Sequence, residues 1–511
     1  MSDHARAVGA PHTISATRSR RWLIPLVLFG VALLIRLAYL LVWRFDGLYG
    51  QDSYAYLNQA LAIRANLPRG QLPPRDFFWP NGYPAVVALL LLLVGKSALA
   101  AQLVSLIGGA ALAPLLYWLG SWLFADRASG ILAGLIVATA SQPIVSSLVA
   151  MADMAALGWA TLAAALLVRA DRAAHPGRWL AGVGAALALA VISRWIYVVL
   201  VPAFGLYALA QVWRGRYAWW WLGLPILSGL LIIVPQIGLS LGRPEGLAHS
   251  WLLGWRPLNA LRSSFATIDG IGRYRLPNGL FYAQPLGHPS YLFPWFGLTA
   301  LWGIRQLWRA RAWPALTLLL GWSGLAYGFL AGIPYQNFRF SLTLYPPLVL
   351  LAAVGASDLA RRVRPAGLVR AVTALSLAGM LLWSTRPVGR FLDTQTQAKR
   401  TTQLIEQQLP PGAPVVAFGL TLTLRHYTRL EVHELFYLSE SELATLLGCK
   451  RTLYVVVDPA NLASQWRGSA LERSYTWLGA NASLSKLADL APYTLFRAEA
   501  GAREEHQCAS P

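Results

Sequence analysis

Cysteine is almost absent from this chain: Cys449 and Cys508 are the only two in 511 residues. That excludes a multi-bridge disulfide scaffold and a zinc site of four cysteines, and leaves a single Cys449–Cys508 bridge open. Charge is scarce too. Only 13% of residues are charged against 56% hydrophobic, too few polar groups to cover a surface that faces water on every side. Acidic residues number 22 against 43 basic ones, a formal net charge of +21. The basic residues are nearly all arginine in short stretches between apolar runs, which is membrane topology rather than a nucleic-acid-binding face. No His or Cys cluster demands a metal, and no clear internal repeat is present. Gly95-Lys96-Ser97 has the ending of a phosphate-binding loop, but Leu90 stands where the earlier glycine is required and no strand precedes it.

What the chain does have is length of apolar sequence. Spans are predicted at 22–43, 99–123, 129–147, 153–169, 179–195, 197–212, 218–240, 291–308, 313–332, 340–356 and 370–386, about eleven crossings, set by the roughly 20 apolar residues a helix needs to span a bilayer. The first run follows Arg18, Arg20 and Arg21 and no small-residue cleavage site follows it, so it is read as a retained helix after a cytoplasmic tail at 1–21. The stretch 83–94 is too short to cross and is expected as a half-helix in the outer leaflet. With the N-terminus in the cytoplasm, the clusters around Arg127, Arg169–Arg172–Arg178, Arg214–Arg216, Arg305–Arg309–Arg311 and Arg361–Arg362–Arg364–Arg370 all fall inside.

This reading gives a polytopic α-helical membrane domain at 22–386 with long outer loops at 44–82 and 241–290, followed by an outer domain at 387–511. That tail changes character. Strands are expected at 414–418 and 452–457, with helix between them at 440–447, making a small α/β domain. Composition rich in arginine and alanine suggests a bacterial source and hence the cell (inner) membrane.

Charges in or beside apolar helices cost roughly 2.5 to 3.5 kcal/mol at a helix centre, so each asks for a reason. Arg36 lies within the first span, near enough to its outer end to snorkel or to meet an acidic partner. Arg194 and Arg339 stand at outer span ends, where the topology rule expects few cations, and they need a local anion. Asp153 opens the fourth span on that side, and Asp52 lies in the first outer loop; each also suits a helix N-cap. Arg75 sits in the Pro73–Pro84 segment, whose prolines fix an extended chain, within reach of an anion at the membrane interface. The second loop adds Arg243, Arg256, Arg262, Arg273 and Arg275 among Trp251, Trp255, Tyr274 and Tyr282, a mixture suited to a phosphate and a sugar.

Together these residues resemble the GT-C membrane glycosyltransferases that use polyprenyl-phosphate sugars, the superfamily of the protein O-mannosyltransferases and the lipid A aminoarabinose transferase. The resemblance rests on Arg36, on Asp52 with Tyr56, on Pro80 to Pro84 leading through Tyr83 into an apolar half-helix, and on Met151-Ala152-Asp153-Met154. Gln336-Asn337-Phe338-Arg339-Phe340 followed by Tyr345-Pro346-Pro347 adds to it. Many protein mannosyltransferases carry adjacent acidic residues in the first loop, whereas Asp52 is flanked by Gln51 and Ser53.

The resemblance implies a GT-C-like bundle and a sugar donor anchored in lipid by a polyprenyl phosphate. The acceptor would be a hydroxyl on a glycan, a lipid or a protein. Asp52 and Asp153 are the candidate catalytic carboxylates, with Asp52 as general base. Arg75, Arg194 and Arg339 are candidates for holding the donor phosphate, and Arg36, Tyr56 and Tyr83 for supporting the site. No cofactor or metal is expected, although two carboxylates on one face also suit a divalent ion. Two rival readings stay open: a transporter or flippase of lipid-linked saccharide, and a scaffold that presents the outer domain.

Overall fold

The computed structural model describes residues 16–75, 77–241 and 250–500, with the backbone alone at 16–21, 250 and 251. The 1–21 tail, Arg243, the Trp251 side chain and Cys508 are therefore outside the described residues or side chains.

The first half of the chain is helical at every apolar run. Ala16–Trp43 (α1) is followed by Asp52–Asn66 (α2) and Gly82–Val94 (α3). Ala98–Phe124 (α4) starts at Ser97, whose hydroxyl accepts the Leu99 amide, and Arg127–Thr139 (α5) starts at Asp126, whose carboxylate accepts two first-turn amides. Ser141–Leu148 (α6), Asp153–Ala170 (α7), Gly177–Ser193 (α8), Val201–Trp213 (α9) and Gly223–Leu241 (α10) complete this half. The expected crossing at 129–147 is broken: α5 and α6 meet at an angle of 60°. Ala140 at the break is extended, and the freed amide of Gln142 finds the Ser290 carbonyl at 3.0 Å, which is why the break is tolerated.

In the second half, Ser250–Leu253 (α11) and Asn278–Ala283 (α12) flank a hairpin of Ser264–Thr267 (β1) and Gly270–Arg273 (β2). Pro294–Arg309 (α13), Trp313–Gly332 (α14) and Tyr345–Arg362 (α15) follow. Ala366–Gln408 (α16) is a single 43-residue helix, so the expected domain boundary at 386/387 falls inside it. The polar segment 393–408 continues the apolar one as helix rather than opening the outer domain. Among the described residues eight helices are long and apolar enough to cross a bilayer, and the bent α5–α6 pair makes up to nine. The other two anticipated crossings are the shorter α8, of 17 residues, and α13, of 16. The 13-residue α3 is the expected short helix.

The bundle is layered by what it hides. The span containing α15 is 94% buried and forms the centre, whereas that of α10 is 6% buried and turns Ile226, Leu230, Leu231 and Val234 outward. Apolar side chains presented on that scale need lipid as solvent. Beyond α16 the strands Pro414–Ala417 (β3), Glu431–Glu434 (β4), Thr452–Val457 (β5), Ala482–Leu490 (β6) and Tyr493–Ala500 (β7) form one mixed sheet. Its order is β4-β3-β5-β7-β6, with β3 parallel to both neighbours and β7 antiparallel to both of its own. The helices Thr421–Tyr427 (α17), Glu440–Lys450 (α18), Pro459–Ser464 (α19) and Ala470–Asn481 (α20) connect the strands. Buried Val415, Val416, Val455 and Val457 supply the core of this α/β unit.

The two ends of the bundle differ in charge. At one end Asp126 pairs with Arg361 at 3.2 Å, joining the start of α5 to the end of α15, and Arg172 donates to the Trp122 carbonyl. Asp153 starts α7 at the opposite end, about 27 Å away along the 18 residues of that helix. Arg36 neither snorkels nor meets a carboxylate among the described residues. It is fully buried, donating to Ser147 Oγ at 2.9 Å and to the Ala32 carbonyl at 2.8 Å. Ser147 lies on α6, so this arginine fixes the broken half-span that leads to Asp153.

Gly109 on α4 makes room for that contact, because a Cβ there overlaps Ser147 Oγ and comes within 3.3 Å of Arg36 Nε. Gly109→Ala is expected to cost about 1 to 3 kcal/mol as overpacking and to lower the thermal midpoint in detergent. An unchanged midpoint would show that the contact is not tight.

Candidate active site

Two segments far apart in sequence are pinned to one helix, α4. Gln102 donates to the Phe45 carbonyl at 3.0 Å and to the Leu148 carbonyl at 2.9 Å, while the Ala150 amide donates to Gly47 at 2.8 Å. Gly47 has φ +86° and a Cβ there would sit 3.0 Å from Gln102, so only glycine fits this junction. One turn along α4, Ser105 donates to the Met151 carbonyl at 2.9 Å and lies 3.0 Å from the hydroxyl of Tyr83. Tyr83 also donates to the Ala101 carbonyl at 2.7 Å, which docks the start of α3 on α4. Tyr56 packs edge-on against Tyr83 and Phe77 with ring centroids at 5.3 and 5.5 Å. Both tyrosines are fully buried supports.

On this frame Asp52 and Asp153 are each the first residue of a helix, α2 and α7. Neither is an N-cap: Gln51 and Ala152 hold those positions without a side-chain cap bond. Their carboxylates are thus available to the arginines. Arg194, the residue that ends α8, pairs with Asp153, both side chains being at most 10% exposed. Arg339 donates to Asp52 at 2.7 Å, and Asp52 keeps 35% of its side chain exposed. Arg339 also approaches the Met151 sulfur at 2.8 Å, and both guanidiniums lie against the Phe340 ring, at 5.2 and 5.7 Å from its centroid. The second oxygen of Asp153 and the Nε of Arg339 are buried and unpartnered, a cost that a bound ligand would relieve.

The segment before Arg339 is held by the second long loop and the residues that follow it. Asn278 donates to Ile333, Gln336 to Leu276 at 2.7 Å, Tyr282 to Tyr335 at 3.0 Å and Tyr291 to Phe338 at 2.5 Å. Asn337 then accepts the Arg339 amide at 3.1 Å. The loop's aromatic Tyr282 is a strut, while Arg256, Arg262, Arg273 and Arg275 point to the surface as exposed residues. Arg75 is likewise exposed and makes no described bond to either carboxylate. It is not part of this cluster, because its extended segment leaves it on the surface.

A cavity of about 160 Å³ is lined by Asp153, Arg194 and Arg339 together with Trp79, the stretch Trp195 to Val199, Phe329, Ile333 and Leu342. Charge thus gathers at one side of an otherwise apolar hollow. A separate open groove of about 940 Å³ runs between the first loop, α16 and the sheet domain, lined by Tyr49, Gly50 and Tyr54 on the loop side. Asp46 accepts from Tyr427 at 2.5 Å and from Lys399 at 3.1 Å, and Gln51 donates to the Gly419 carbonyl at 2.7 Å. Burial pushes Tyr54 up to about 12 and raises Tyr49 and Tyr56, so these phenols stay protonated at neutral pH and cannot act as bases.

Sequence reasoning missed Phe340 as a shared platform and Met151 as a contact. It also missed the buried chain Gln59–Asn81–Gln236, in which Gln59 donates to Asn81 at 2.7 Å and the Asn81 amide to Gln236 at 2.9 Å. A glutamine inside the apolar run of α10 was the available signal.

The crystal structure of ArnT from Cupriavidus metallidurans in the apo state superposes with a TM-score of 0.63 at 16% identity, covering 94% of this chain and 98% of that one. The chain has the GT-C fold. The same fold is seen in ArnT bound to undecaprenyl phosphate, with TM-score 0.58, 16% identity and the same coverage. Archaeoglobus fulgidus AglB, an oligosaccharyltransferase in complex with an inhibitory peptide and a dolichol-phosphate, gives 0.52 at 12% identity over 94% of this chain and 74% of its own. Residues 92–241 match the dolichyl-phosphate-mannose-protein mannosyltransferase family. Within the GT-C fold that segment includes Asp153 and Arg194 but not Asp52 or Arg339. No curated protein matches the chain.

Because Asp153 and Arg194 are both buried, removing either leaves an uncompensated charge. Asp153→Ala and Arg194→Ala are each expected to destabilise by about 3 kcal/mol, and the double variant by less than the sum. A strictly additive cycle in thermal or denaturant unfolding would contradict the pairing.

Proposed function

We propose that this chain is a membrane glycosyltransferase that moves a sugar from a polyprenyl-phosphate donor to a hydroxyl acceptor. The carrying observation is Arg339, which binds Asp52 and also lines the apolar cavity shared by Asp153 and Arg194. A lipid-borne phosphate needs cations at the edge of an apolar slot, and this cavity offers two guanidiniums at such an edge. The presence of undecaprenyl phosphate in ArnT and dolichol-phosphate in AglB, both of this fold, supports the same donor class here.

In this reading the acceptor hydroxyl gives its proton to Asp52 as its oxygen attacks the anomeric carbon. The bond from that carbon to the phosphate oxygen breaks, and the phosphate leaves with the electron pair. A phosphate monoester is a stable anion, so it needs positive charge rather than a proton, and Arg339 and Arg194 supply it. One in-line displacement inverts the anomeric centre. Asp52 is favoured over Asp153 as base because it is the more accessible of the two. Asp153 then orients Arg194. The site faces the extracytoplasmic side of the cell membrane, with the N-terminus in the cytoplasm and the sheet domain beside the acceptor, which is a glycan, a lipid or a protein.

A flippase of lipid-linked saccharide would also use a basic mouth on an apolar slot, and it is the second reading. Asp52→Asn separates the two. Turnover in membranes supplied with polyprenyl-phosphate sugar is expected to fall about 10²- to 10⁴-fold, with donor binding retained. Unchanged transfer would exclude Asp52 as the base, whereas translocation of lipid-linked sugar without any transfer would favour the flippase. Since each carboxylate is already engaged by a guanidinium, transfer is also expected to survive exhaustive chelation; loss restored by a divalent ion would assign the carboxylates to a metal.

A further inference from the structure

At the end of the bundle opposite the carboxylates, α1, α4, α7 and α8 enclose a groove of about 1070 Å³ that the transfer reaction does not use. Its upper wall is aromatic. Trp118 stacks on Trp122 with centroids at 6.4 Å, Trp22 meets Trp118 edge-on at 5.5 Å, and Trp179 closes the far side. Three guanidiniums line the same groove, from Arg127, Arg169 and Arg172, and no carboxylate does. Arg169 rests on the rings of Trp179 and Trp122, at 5.1 and 6.0 Å, so its head is fixed rather than free in water.

None of the three forms an ion pair among the described residues. Of the acids next to them in sequence, Asp126 pairs with Arg361, while Asp171 accepts from Tyr207 and Gln211 and also feels the charge of Arg216, Arg172 and Arg214. With three guanidiniums and no carboxylate in its lining, the groove is positively charged. Two of its polar atoms, Trp179 Nε1 and Ser121 Oγ, are buried without a partner. Below the arginines the wall turns apolar, with Ile24, Leu115, Leu162 and Leu166. Trp22 is 60% exposed, which leaves the side of the groove open towards lipid.

We infer that this groove binds one anionic phospholipid, its phosphate held by Arg127, Arg169 and Arg172 and an acyl chain laid along Ile24, Leu115 and Leu166. Charge complementarity selects an anionic headgroup, and the apolar floor selects a lipid over a soluble phosphate. Arg169 lies about 24 Å from Asp153 along α7, so the site is separate from the donor site and does not depend on the transfer reaction.

The test uses the full chain purified in detergent and exposed to mixed phosphatidylglycerol and phosphatidylcholine, with bound lipid counted by native mass spectrometry. Wild type is expected to retain phosphatidylglycerol preferentially. Arg169→Gln with Arg172→Gln is expected to lower that retention about 25-fold, at about fivefold per arginine. Arg305→Gln, at the same end but outside the groove, leaves it unchanged. If the double variant fails to fold, Arg127→Gln, an exposed position, is expected to give about a fivefold loss. Equal retention of the two lipids, undiminished retention in the arginine variants, or displacement by glycerol phosphate as effective as by phosphatidylglycerol would each overturn the assignment.

Discussion

Two guanidinium–carboxylate pairs at the mouth of an apolar bundle are the constraint on which the site depends. A charge brought out of water is costly unless it is matched at close range, and here the match is made between segments that are distant in sequence. Arg339 reaches Asp52 across 287 residues, and Arg194 reaches Asp153 across 41. One pair joins α7 to the end of α8, and the other joins the start of α2 to the segment that precedes α15. The pairing leaves two guanidiniums on the wall of the apolar cavity.

The supporting polar residues follow the same logic on a smaller scale. Gln102 and Ser105 spend their hydrogen bonds on irregular backbone at Phe45, Leu148 and Met151, where a membrane-embedded chain has no water to turn to. Arg36 does this for α6 through Ser147. The candidate site thus lies beside non-helical backbone made tolerable by side chains from intact helices, chiefly the 27-residue α4.

Much of this was legible because charge in apolar sequence is expensive. Asp52, Asp153, Arg194 and Arg339 stand out on that ground, and the structure brings them together in two ion pairs. What escaped the sequence depended on contacts or on exposure. Arg36 was expected to leave the apolar interior or find an acid, but its partner is a serine 111 residues away, which no local pattern announces. Arg75 has the right residue type beside prolines, yet its surface position cannot be read from type alone. The break between α5 and α6 was signalled only by Pro143, and a proline at the third position of a helix is ordinary. The continuity of α16 through Pro387 went unread because its polar second half resembles the start of a soluble domain.

That continuity has a mechanical consequence. A 43-residue helix is about 65 Å long, and it runs unbroken from the arginine-rich end of the bundle to the first strand of the sheet. The domain is thereby carried on a long mast, braced against the end of α1 and the first loop by Trp43 on Asp393 and by Lys399 on Asp46. Adding or deleting one residue in such a mast turns everything above it by about 100° and shifts it by about 1.5 Å. The height and facing of the sheet domain are thus set by the residue count of its support.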